Sequence, residues 1–186
     1  MEQNGYKIKN MTVGIFKANV FALIIMLPFA IIDGLIFHYV NSSKSFDFDL
    51  VSWSIMLAVF FAFVVIHELI HGLFWGLFAK SHYKSIEFGI IWNALTPYCT
   101  CSEPLKKHQY IIGSVMPTVI LGFGVAAVAT VSGNIPMFVL SELMIFSGGG
   151  DFFIILKMLL YKSGKKECVF YDHPYECGFV IFEKSE

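Results

Sequence analysis

The chain has 186 residues, enough for one domain, with 56% hydrophobic residues, 15% charged residues and a mean hydropathy of +0.68. A water-soluble domain of this size needs more polar surface than that, and the long apolar runs point to an integral membrane protein. The formal net charge is −1 and every basic residue is Lys, so the chain has no basic face for nucleic acid, which is not an expected partner.

Four hydrophobic spans are read in chain order, at residues 13–40, 50–79, 110–131 and 135–161. Each reaches the roughly 20 residues needed to cross the hydrocarbon core. Span one is not expected to be a cleavable signal: its apolar run is too long, it contains Asp33, and no small-residue cleavage site follows. Between spans two and three, Ile86, Phe88, Ile90 and Trp92 alternate with other residues, a strand period. This predicts a β-hairpin or re-entrant loop over about 85–101, with Pro104 opening a short helix into span three. The tail after residue 161 reads as polar, with two short strands around Asp172-His173-Pro174.

The expected fold is therefore an all-α integral membrane protein of about four helices with that small insertion. A membrane-embedded domain covers 1–161 and a short packed tail covers 162–186. Lysines set the orientation. They cluster before span one, between spans two and three, and at the end of span four, whereas the other two connections hold only Lys44. The expectation is a multi-pass protein of the cell membrane, in contact with the lipid bilayer, with cytoplasmic N- and C-termini. Cys99, Cys101, Cys168 and Cys177 then face a reducing compartment and are expected as thiols. Trp53, Trp75, Tyr39 and Tyr161 near span ends are expected to be interfacial anchors.

Span two contains His67-Glu68-Leu69-Ile70-His71. Residues four apart share one helix face, so two imidazoles can chelate one Zn²⁺ while Glu68 lies beside them as a base that is not a ligand. Coincidence is the bland alternative, but ionisable groups within an apolar helix are functional by default. A catalytic zinc needs a third protein ligand. Asp33, Glu142, Asp151, His82 and His108 are the candidates. His71 lies eight residues, about 12 Å, from the cytoplasmic end of span two, and Asp151 lies at a similar depth in span four. Asp33 and Glu142 are nearer the outer side. Asp151 also follows Gly148-Gly149-Gly150, which lets another backbone approach. The competing reading of Asp151 is a helix-packing hydrogen bond.

The segments His67-Glu68-Leu69-Ile70-His71-Gly72, Thr96-Pro97-Tyr98-Cys99, Gly149-Gly150-Asp151 and Asp172-His173-Pro174 resemble the DUF3267 family of zincin-type peptidases. They are more distantly similar to the site-2 protease clan of intramembrane metalloproteases. The resemblance implies zinc held by His67, His71 and Asp151, with Glu68 catalytic. The expected activity is endopeptidase cleavage of a membrane protein or membrane-proximal peptide. The hairpin would offer an edge strand to an extended substrate, and Asn93 or His108 would stabilise the oxyanion. The rival class is a non-catalytic metal-binding scaffold or a metal transporter. A transporter, however, should show ligands at successive depths and often a repeat, and none is visible.

Overall fold

A computed structural model of the chain describes residues 6–13, 15–43, 49–92, 96–161, 168–172 and 177–184. The chain opens on a strand, β1 (Tyr6–Val13), followed by α1 (Ile15–Val40) and α2 (Leu50–Phe78). A 3₁₀ turn, His82–Ser85, leads into the hairpin β2 (Ile86–Ile91) and β3 (Thr96–Cys101). Span three is α3 (Lys107–Pro117), a π-helical segment (Thr118–Gly124) and α4 (Val125–Ser132). Span four is α5 (Ile135–Ser147) and α6 (Gly149–Leu160), and β4 (Cys168–Asp172) and β5 (Cys177–Lys184) close the described chain.

Four helical stretches are long and apolar enough to cross a membrane: Asn19–Val40, Leu50–Phe78, Lys107–Ser132 and Ile135–Leu160. Local chemistry sets their ends. The Asp49 carboxylate accepts from Val51 N and Ser52 N at 3.2 and 2.9 Å and caps α2. Asn134 caps α5 by accepting from Met137 N at 2.9 Å. Gly133, at φ 69°, ends α4 in the left-handed conformation that glycine adopts freely.

The expectation of an all-α chain needs correction. The described residues are mostly helical but include two small sheets. The hairpin falls where the alternation placed it, with Ile86 opposite Cys101 and Ile91 opposite Thr96. The tail strands pair as expected, but they are not a separate hairpin. β5 is the centre of a three-stranded antiparallel sheet in the order β1-β5-β4, so the N-terminal segment completes it. Val13 consequently ends a strand rather than starting span one, and no helix begins at Pro104. The third span instead starts at Lys107, where Lys106 N donates to the Gln109 side chain at 2.9 Å. His173 and Pro174 lie outside the described residues.

This sheet shares one core with the helices. Phe170, Phe179 and Ile181 pack with Leu105, Tyr110, Trp75, Met158, Cys99 and Cys101. Reciprocal backbone bonds between Leu105 and Phe170, at 3.1 and 3.2 Å, join the sheet to the loop before α3. Lys9 Nζ reaches Glu183 at 3.1 Å and donates to Tyr161 Oη at 3.0 Å, tying β1 and β5 to the end of α6. The Tyr161 and Glu183 contacts raise the Lys9 ammonium above its ordinary pKa. Higher in the bundle, Gly149 lets Ala22 of α1 come within backbone distance and Phe21 stacks on Phe153 at 5.3 Å, so α1 is fastened to α6. Cys99 and Cys101 are buried in this core and Cys168 is half-buried at its edge.

Candidate metal centre

His67 and His71 lie one turn apart on α2, and their rings meet edge to face with centroids 4.8 Å apart. Both are nearly sealed from solvent, at 6% and 3% exposed. Asp151 enters from the first turn of α6. Its Oδ2 lies 3.3 Å from His67 Nε2 and 3.4 Å from His71 Nε2. Among the described residues, the only cluster of possible metal donors is His67, His71 and Asp151, with one donor atom from each within 4.8 Å of the others.

The break in span four explains how Asp151 arrives. At Gly148 the helix interrupts, and its N–H bonds back to Met144 O at 3.3 Å. A Cβ on Gly148 would overlap Thr118 Oγ1 of span three, and one on Gly149 would lie 3.0 Å from Ala22 O. Two of the three glycines thus let neighbouring spans close on the entry to α6.

His71 is held on two sides. Its Nδ1 donates to the Gly113 carbonyl at 2.9 Å, and its ring stacks on Trp75 at 5.0 Å and 15°. The Trp75 indole N–H donates to Tyr110 O at 3.2 Å. Since a carbonyl only accepts, His71 carries a proton on Nδ1, and neutral His71 aims the Nε2 lone pair at the Asp151 carboxylate. Two lone-pair-bearing atoms at 3.4 Å need a cation or proton between them.

The donor set fits zinc. Nitrogen and oxygen donors at about 2.0–2.2 Å in tetrahedral array stand roughly 3.4 Å apart, matching the 3.3 and 3.4 Å observed. The Gly113 carbonyl supplies the outer partner that metal-ligating histidines usually have. Glu68 is half-buried, and its charge is near enough to act on His71.

The remaining sequence candidates are elsewhere. Asp33 and Glu142 hydrogen-bond to each other between α1 and α5, away from the donor cluster. His82, at φ 52°, directs Nδ1 at Gly76 O, 3.3 Å away. His108 is exposed in the first turn of α3 and does not join the donor cluster. Asn93 lies outside the described residues. The expectation of an interfacial Trp75 is overturned, since it is 3% exposed beneath His71. Its spacing, four residues after His71, was the signal that it shares the histidine face. Nothing in the sequence marked the Gly113 carbonyl.

The fold and this cluster define a helical protein with a two-histidine, one-carboxylate site. Residues 60–166 match the DUF3267 family, described as "putative zincin peptidase". The match covers more than half of the chain, and the chain belongs to this family. No curated protein and no solved structure matches.

Proposed function

We propose that this protein is a zinc-dependent, membrane-embedded endopeptidase that cleaves membrane or membrane-proximal polypeptides. The observation that carries the reading is the approach of a single carboxylate oxygen, Asp151 Oδ2, to both histidine Nε2 atoms. His67, His71 and Asp151 would hold the ion. Zinc, when bound, supplies a Lewis acid that brings the pKa of water toward about 7 and polarises a carbonyl. Glu68, next to His67 and not among the clustered donors, takes the proton from the attacking water. It then delivers that proton to the leaving amine. Trp75 and the Gly113 carbonyl keep His71 fixed while this happens.

The membrane setting is supported by the outer surface of α1, where Leu23, Ile24, Leu27, Ile31, Ile32 and Leu35 are all more than half exposed. Such a continuous apolar face is stable in lipid and not in water. Lys9, Lys80, Lys84, Lys106 and Lys107 lie toward the end that carries the terminal sheet, which supports cytoplasmic termini. The hairpin lies against α2 immediately after the motif, where Phe88 and Ile86 abut Gly72. A substrate segment must be extended to expose its peptide bonds, and the outer edge of β2 is where it would add.

The test uses purified protein in detergent with transmembrane peptides as substrates and mass spectrometry of the products. Wild type should carry zinc and cleave. Glu68→Gln should carry zinc and not cleave. Protein without zinc, or Glu68→Gln cleaving at the wild-type rate, overturns the proposal.

A further inference from the structure

Two buried polar atoms, one on a cluster histidine and one on the residue packed against Gly148, have no protein hydrogen-bond partner: Nδ1 of His67 and Oγ1 of Thr118. The residues are 6% and 0% exposed. Both lie against one turn of span four. His67 Nε2 meets Asp151 at 3.3 Å, and the Thr118 hydroxyl fills the space beside Gly148. Gly148 and Asp151 are three residues apart and so are neighbours along a helix surface. The heights agree as well. His71 touches Gly113. From that contact His67 is four residues outward along α2 and Thr118 five residues outward along span three, about 6 and 7.5 Å at helical rise.

The two ligating histidines differ in this respect. A metal-bound histidine almost always donates its other ring N–H to a carbonyl, carboxylate or water, which fixes its tautomer and orientation. His71 does so through Gly113 O, but His67 has no such protein partner. A threonine inside a regular helix commonly returns its hydroxyl to the carbonyl four residues earlier. Thr118 opens the π-helical segment, and its hydroxyl makes no such bond. An N–H and a hydroxyl are complementary, and buried polar groups are paired as a rule.

We propose that Thr118 is a positioning residue for His67: its hydroxyl takes up the Nδ1 proton's hydrogen bond through one buried water, holding Nε2 toward Asp151. The inference rests on the metal reading above. It explains why a hydroxyl, rather than a methyl of the same shape, occupies a fully enclosed position next to the entry of α6.

The experiment is zinc affinity of wild type, Thr118→Val and Thr118→Ser, read with the melting temperatures of the zinc-free proteins. Thr118→Val keeps the shape and removes the hydroxyl. It should weaken zinc about 10–100-fold, with a zinc-free melting temperature no lower than wild type. Thr118→Ser should bind zinc like wild type. Equal affinity in Thr118→Val and wild type overturns the proposal and leaves the metal centre standing. So does a loss of affinity in both variants that follows a matching fall in zinc-free melting temperature, since Thr118 would then act only by packing. A wild-type protein that takes up no zinc overturns this inference and the peptidase reading together.

Discussion

The Nδ1–H of His71 donates to the carbonyl oxygen of Gly113 across 2.9 Å. This bond couples span three to the metal cluster, because Gly113 also packs directly on the Trp75 indole that stacks under His71. A Cβ at residue 113 would overlap the Trp75 ring at Cδ1 and Nε1. Gly113→Ala should therefore push Trp75 off His71 and strain the carbonyl contact. The expected cost is about 1–3 kcal/mol of stability from overpacking. Zinc affinity should fall about 10–100-fold, as when the outer partner of a ligating histidine is disturbed. Thermal melts and zinc titrations of the purified variant check both. An unchanged zinc affinity would show that the Gly113 carbonyl does not orient His71.

Asp151 is the one anionic donor in the cluster and the one most accessible, with its side chain 20% exposed. Asp151→Asn keeps the shape and removes the charge. Zinc affinity should drop by more than for any outer-partner variant, and cleavage should be lost with it. Metal removal from wild type gives the matching stability effect. A site held at 100 times its dissociation constant contributes about 2.7 kcal/mol, which a chelator should take away. The same chelator should leave the melting temperature of Asp151→Asn unchanged.

The parts of this fold that were legible in the sequence follow local periodicity. Apolar length gave the four spans, and alternation from Ile86 to Trp92 gave the hairpin. The i, i+4 spacing put His67 and His71 on one face, and depth, with the glycines before it, favoured Asp151 among the candidate partners. What was not legible depends on contacts between distant segments. β1 is eight residues whose only reason to be a strand is β5, more than 160 residues later. Trp75 looked like an interfacial anchor because position along a span says nothing about which neighbour covers it. The Gly113 carbonyl is a backbone atom, and no side-chain pattern announces it.

Glu103 should give the end that carries the terminal sheet a measurable pH dependence. Its carboxylate accepts from Lys80 N at 2.7 Å and from Ser81 N at 3.1 Å, pinning the turn after α2 to the loop after β3. Hydrogen bonding from Ser81, side chain first and then backbone, holds its pKa below the ordinary 4.5. A depressed carboxylate pKa stabilises the fold above the unfolded value, and that stabilisation is lost as pH falls through the folded value. In zinc-free protein, Glu103→Gln should melt lower than wild type near neutral pH. The gap should close as pH falls below the ordinary carboxylate value of 4.5. A gap independent of pH would mean that the ionised form contributes nothing.

Gly72 lies between the donor cluster and the hairpin. It follows His71 directly, and a Cβ there would meet Phe88 Cζ at 2.5 Å and Ile86 Cγ2 at 3.0 Å. Phe88 is 53% exposed, so its ring can move aside for a methyl group. Gly72→Ala should be mild, with a gain in helix propensity of about 1 kcal/mol to offset the contact. Gly72→Leu has no such room and should lift β2 away from α2. Gly72 shares α2 with His67 and His71, but the atoms nearest an added Cβ belong to Phe88 and Ile86 of β2, so zinc affinity should stay near wild type. If an extended substrate adds to β2, cleavage should fall steeply in Gly72→Leu while Gly72→Ala cleaves normally. Zinc loss in step with cleavage would instead make the hairpin a support of the metal centre. Full cleavage in Gly72→Leu would remove the hairpin from the substrate path.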